Sequence, residues 1–303
     1  MKDFLNRIHR EGFTWKDSLF IHGFITYALL VVGITIMTIL DLNVRAWLSG
    51  VDKDFVYEMS YYGCFIVIWL IVILVCLIVK TNRPILGTIL RGLKGNTVPR
   101  FLIGLLMGFG FNTLCVLAAV LHGDISVSYR RIASNDILYI VILAIVIIIQ
   151  CGSEEILYRG YFYQRLRKGY KSPLFAILIN PIAFLSGHLF NPGVTALALF
   201  NIYLTGVIIS MMVYYFDSLW IAIAFHAGWN FTQNIIFGLP VSGVILKYSV
   251  GKMDLINGED SFFYSVEFGI EGTWFFLVVI TILISLFYYF GRKMKVSPTD
   301  IWK

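Results

Sequence analysis

Eight largely apolar runs, most of 18 residues or more, follow one another along this 303-residue chain, at about 18–40, 61–80, 101–121, 137–158, 173–190, 193–216, 218–238 and 273–291. As a helix rising ~1.5 Å per residue, such a run crosses the roughly 30 Å hydrocarbon core of a bilayer. Lipid offers no partner to a bare peptide group, so only helices and closed barrels span it. The expected fold is therefore all-α: a polytopic transmembrane helical bundle of about eight spans. Composition removes the alternatives. Charged residues make up only 14% and hydrophobic residues 58%, with a mean hydropathy of +0.80. A soluble domain carries about a quarter charged residues, and a disordered chain combines low hydrophobicity with high charge. The first run is too long for a signal-peptide core and no small-residue cleavage site follows it, so it is expected to be retained.

The net charge of +6 invites a nucleic-acid reading, and the placement of the charges answers it. The N-terminus, loop 2–3, loop 4–5 and the C-terminus share one side of the expected topology and hold 18 of the 24 Lys and Arg residues. The other side holds Arg45, Lys53, Arg130, Arg131, Lys247 and Lys252. This is the positive-inside pattern and puts both termini in the cytoplasm. The basic excess is orientation, and no nucleic-acid partner is expected. Arg165, Arg167, Lys168 and Lys171 form a patch suited to lipid headgroups, so membrane lipids are expected partners. Cys64, Cys76, Cys115 and Cys151 lie in or beside apolar runs without CxxC spacing and are expected to act as small hydrophobes.

Ionisable groups inside spans are costly and by default functional. They cluster in the second half. Span 4 ends in Glu154, Glu155 and Arg159; span 5 holds Asn180 and His188; span 6 holds Asn201; span 7 holds His226, Asn230 and Asn234. The expected organisation is a scaffold over 1–136, a catalytic core over 137–238, and a last part, 239–303, with an external loop, the final span and a basic tail. Glu155 and Arg159 stand i,i+4 and can pair, while Glu154, rotated by about 100°, is left free. His226 and Asn230, and likewise Phe184 and His188, share helical faces. At ~1.5 Å per residue, Glu154, His188, His226 and Asn230 fall roughly 12–22 Å into the membrane, in one band. Asn180, Asn201 and Asn234 read as packing groups, with Asn201 also able to line a cavity.

A carboxylate, two imidazoles and an amide at one depth suit hydrolysis. A carboxylate or imidazole deprotonates water as general base, and imidazole and amide donors stabilise an oxyanion. Glu154, His188 and His226 are also the residue types that bind zinc, so metal-dependent and metal-free chemistry both stay open here.

Glu154-Glu155-x-x-x-Arg159, Phe184-x-x-x-His188 and His226-x-x-x-Asn230 together resemble the EExxxR, FxxxH and HxxxN/D motifs of the CPBP family, the CAAX proteases and bacteriocin-processing enzymes also called Abi. Tyr158 stands where the family commonly has Phe. The resemblance implies an intramembrane endopeptidase acting on a peptide or lipidated peptide. Glu154 with His188 would activate water, His226 and Asn230 would stabilise the oxyanion, and Glu155 with Arg159 would support them. Family members are described both as metalloproteases, which would add a divalent metal such as Zn, and as glutamic-type enzymes. The alternative within the same fold is a non-catalytic bacteriocin-immunity or peptide-binding membrane protein. A proton-coupled transporter fits less well, because transporters show paired broken helices in both halves. With no retention signal in view, a bacterial plasma membrane is the expected location.

Overall fold

The computed structural model describes residues 7–293 and 297–303. Two of the basic residues used for orientation, Lys2 and Lys295, lie outside them. Helix α1 (Leu19–Trp47) opens at Ser18, whose hydroxyl accepts from the Ile21 N–H. Helix α2 (Lys53–Gly63) is capped by Asp52, which accepts from Phe55 N–H at 2.8 Å, and runs almost directly into α3 (Ile66–Ile78). A short α4 (Pro84–Ile89) starts on proline, and α5 (Val98–His122) ends on Gly123 in the left-handed region, φ 88°. Proline at a helix start and glycine just past its end are the usual boundary chemistry.

Next come α6 (Ser134–Glu155), a π-helical stretch (Ile156–Phe162) and α7 (Tyr163–Gly169), continuous with one another. Then α8 (Pro173–Ser186), α9 (Ala196–Phe216), α10 (Leu219–Phe231) with a π-helical extension (Thr232–Ile236), and α11 (Trp274–Lys293) complete the bundle. Among the described residues, six helical stretches are long and apolar enough to cross a membrane: Leu19–Trp47, Lys53–Ile78, Val98–His122, Asp136–Gly169, Ala196–Phe216 and Trp274–Lys293. The chain is a multi-pass, all-α membrane protein.

Two of the eight expected spans take another form. Residues 173–190 give only the 14-residue α8, stopped by Gly187 and a run of turns. Residues 218–238 give a 13-residue α10 and five residues of π-helix. Helix α10 is buried nearly all round, which is the mark of a core helix. It lies along α5, where Gly104 and Gly108 of α5 and Gly228 of α10 bring the backbones together. A Cβ on Gly104 would stand 2.5 Å from Ile221 O, and one on Gly228 2.5 Å from Leu105 O. Small residues four apart serve such close crossings in membranes. A Cβ on Gly108 would press on the backbone at Phe225 and Trp229, immediately behind His226. Gly108→Val is therefore expected to cost about 1–3 kcal/mol through overpacking. Thermal melting in detergent reads this directly, and an unchanged midpoint counts against the close crossing.

Residues 239–272, expected as an external loop, are tied to the bundle at several points, while 254–260 stay exposed. A five-residue strand β1 (Ile125–Tyr129) pairs antiparallel with β2 (Gly251–Leu255), in register Ile125↔Leu255 and Tyr129↔Gly251. Tyr248 N–H donates to the buried Glu58 at 2.6 Å, and Asn191 donates to Ser242 O at 2.9 Å. At the far end of the bundle the tail returns to the first residues: Arg10 donates to Asp300, and the Trp302 indole donates to Gln164 O. All four cysteines are buried and free.

Candidate active site

The stretch from α6 into its π-helix supplies the first group. Glu154 and Glu155 are adjacent on the last turn of α6 and point to different partners. Glu155 is fully buried, and its Oε1 accepts from Arg159 at 3.1 Å. Arg159 is also fully buried; it donates to Gly206 O at 3.0 Å and lies 4.6 Å over the Phe184 ring. The expected pair thus forms, although Arg159 sits within the π-helix. Widened turns of this kind recur at functional sites, because they re-aim side chains within one helix.

Glu155 has a second partner that helix geometry alone does not reveal. His226 Nδ1 of α10 lies 2.9 Å from the same Oε1, so the supporting pair and the second histidine form one network. The other ring nitrogen, Nε2, lies 4.0 Å from Glu154 Oε2. Glu154 is not as free as expected: Gln150, one turn earlier, donates to its Oε1 at 2.6 Å. That contact orients the carboxylate and leaves Oε2 toward the histidine.

His188 departs from the expected helical face. Helix α8 ends at Ser186, and His188 sits in the turn beyond. It remains against Phe184, ring centroids 4.8 Å apart, with Nδ1 3.0 Å from Phe184 O. That carbonyl holds Nδ1 as a donor and leaves Nε2 as the available base. Asn230, one turn after His226, donates weakly to Cys151 Sγ at 3.3 Å.

Glu154, His188, His226 and Asn230 line one cavity of about 250 Å³. Its remaining wall is mostly apolar and aromatic, including Tyr158, Phe184, Phe225 and Trp229. Further polar groups that sequence reasoning missed reach it, among them Gln150, Ser242 and Glu271. The i,i+4 spacing of Gln150 to Glu154 was a usable signal. Glu271 had none, since it reads as one of five acids in the 239–272 segment. Asn180 and Asn201 are buried packing groups, donating to Ser210 and to the carbonyls of Glu271 and Thr273. Both side-chain polar atoms of Asn234 are buried without a hydrogen-bond partner among the described residues.

Residues 136–232 match the model of a family described as type II CAAX prenyl endopeptidase Rce1-like. Over this segment the chain is similar to the CAAX proteases. No curated protein and no solved structure gave a match. The matched segment contains all seven motif residues, from Glu154 to Asn230, and stops before the 239–272 segment that supplies Ser242 and Glu271 to the cavity.

Within the matched segment the donors do not fit a divalent ion. Among the described residues no three His, Cys, Asp or Glu side chains converge closely enough to hold one. Glu154, His188 and His226 share the cavity without forming a ligand cage.

Proposed function

We propose that this protein is an intramembrane endopeptidase that hydrolyses a peptide bond in a membrane-associated peptide or lipidated peptide. The observation that carries the reading is the convergence of Glu154, His188, His226 and Asn230, from three separate elements, on one apolar-walled cavity inside the bundle. The charge pattern supports both termini on the cytoplasmic side.

In this reading Glu154 is the general base. Its Oε1 is fixed by Gln150, and Oε2 takes a proton from water as the water oxygen attacks the carbonyl carbon. His188 holds the same water through Nε2. The developing oxyanion is met by Nε2–H of protonated His226 and by the Asn230 amide, which exchanges its weak sulfur contact for a charged acceptor. As the tetrahedral intermediate collapses, Glu154 returns the proton to the leaving amine. Glu155 and Arg159 act one step back: the carboxylate, neutralised by the guanidinium, fixes His226 through Nδ1.

The experiment is cleavage of a membrane-tethered reporter peptide by purified protein in nanodiscs, with products identified by mass spectrometry. His188→Ala is expected to lower kcat by about a hundredfold, since an acid–base group contributes 10²- to 10⁴-fold. Wild-type turnover in this variant refutes the assignment of His188. No cleavage of any tethered peptide by the wild type, with peptide binding retained, favours a peptide-binding protein of this fold.

A further inference from the structure

Glu271 lies outside the matched segment and outside all three motifs, yet it lines the cavity together with Glu154. Only 8% exposed, it accepts three hydrogen bonds through its carboxylate. Oε1 takes the Trp229 indole N–H at 2.8 Å, and Oε2 takes the Ser242 N–H at 2.5 Å and the Ser242 hydroxyl at 2.9 Å. Its own carbonyl accepts from Asn201 of α9 at 2.8 Å. Burial raises its pKa, against the opposing hydrogen bonds from Ser242 and Trp229.

Trp229 makes these bonds matter for the reaction. It stands i+3 from His226 and one residue before Asn230, on the face of α10 that lines the cavity. His226 is held from one side by Glu155, and Asn230 touches Cys151; both contacts are to α6. Trp229 is held instead from outside α6, by Glu271 and by edge packing on Phe276 of α11, ring centroids 5.3 Å apart. The rotation of α10 is therefore set between two carboxylates, and only one of them belongs to a motif.

We propose that Glu271 is a positioning residue of the active site, acting through Trp229 to fix the His226–Asn230 face of α10 and through Ser242 to seat the 239–272 segment over the cavity. This rests on the endopeptidase reading above. The oxyanion donors are then held by a segment beyond the family core, and transition-state stabilisation depends on it more than substrate binding does.

The test is a double-mutant cycle on kcat and KM with Glu271→Gln and Trp229→Phe, run on full-length protein in nanodiscs. Phenylalanine keeps the ring and removes the N–H. Each single variant is expected to lose about ten- to a hundredfold in kcat with KM changed less than threefold. The double variant should lie within threefold of the worse single one, because the one amide oxygen of glutamine cannot serve both Trp229 and the Ser242 N–H and so disturbs the contact that Trp229→Phe removes. Glu271→Asp should recover part of the loss. Wild-type kcat in Glu271→Gln, or losses that multiply in the double variant, overturns the proposal. If Glu271→Gln fails to fold, Trp229→Phe and Ser242→Ala carry the test: wild-type kcat in both overturns it, and a kcat loss at near-constant KM in either supports it. The parallel Glu154→Gln variant separates the two failures, since full turnover there removes the endopeptidase mechanism while leaving the Glu271–Trp229 coupling measurable.

Discussion

Glu154→Gln is expected to lower kcat by about a hundred- to ten-thousandfold, the range for loss of a general base, while leaving the fold and KM close to wild type. The substitution is nearly isosteric. The Gln150 amide, 2.6 Å from Oε1 in the native protein, still finds a carbonyl oxygen to donate to. What is lost is the ability to take a proton, and with it the negative charge beside His226 Nε2. Glu154→Asp keeps the charge but withdraws it by one methylene from both Gln150 and the cavity, so partial activity is expected. The measurement is single-turnover cleavage in nanodiscs, with melting curves as the control for folding. Turnover in Glu154→Gln within threefold of wild type would move the base to His188. A fall in melting temperature that tracks the fall in rate would make Glu154 a structural residue.

Much of this site is legible in the sequence because its key spacings are local. Glu155 with Arg159, and His226 with Asn230, stand four apart on helices, and helical geometry turns four residues into one face. Other features escape for physical reasons. Hydropathy reports neither helix length nor burial by neighbours, so 173–190 and 218–238 read as spans although the first gives only a 14-residue helix and the second a helix buried nearly all round. The π-helical stretches at Ile156–Phe162 and Thr232–Ile236 have no period that composition betrays. His188 leaves the helix because Gly187 and the turns after it end α8 early, yet the Phe184 carbonyl keeps it in place.

Contacts distant in sequence are the other blind spot. His226 meets Glu155 from 71 residues away, and Glu271 meets Trp229 from 42. No local pattern encodes either. The 239–272 segment carries no local signal of its pairing, since its strand is five residues long and its partner strand lies before α6. The consequence is functional: a segment that reads as a loop supplies Ser242 and Glu271 to the cavity wall.

The second large effect concerns stability. Arg159→Ala is expected to destabilise the protein by about 3–5 kcal/mol, the range for removing one partner of a buried ion pair. Both side chains are fully buried, and the guanidinium also serves Gly206 O and packs on Phe184. Its loss leaves Glu155 as a buried anion with only His226 as partner, and Glu155 Oε2 already has no hydrogen-bond partner among the described residues. The double variant Glu155→Gln/Arg159→Met separates stability from chemistry. Replacing a buried pair by neutral groups of similar volume is often neutral or stabilising, so its melting temperature should return toward wild type. Turnover should stay low, because the carboxylate that fixes His226 Nδ1 is gone. Melting and cleavage measured side by side on the single and double variants decide the matter. Recovery of both in the double variant would reduce the pair to a structural brace. Recovery of stability alone assigns Glu155 the task of holding the histidine, with Arg159 present to keep that carboxylate charged inside the bundle.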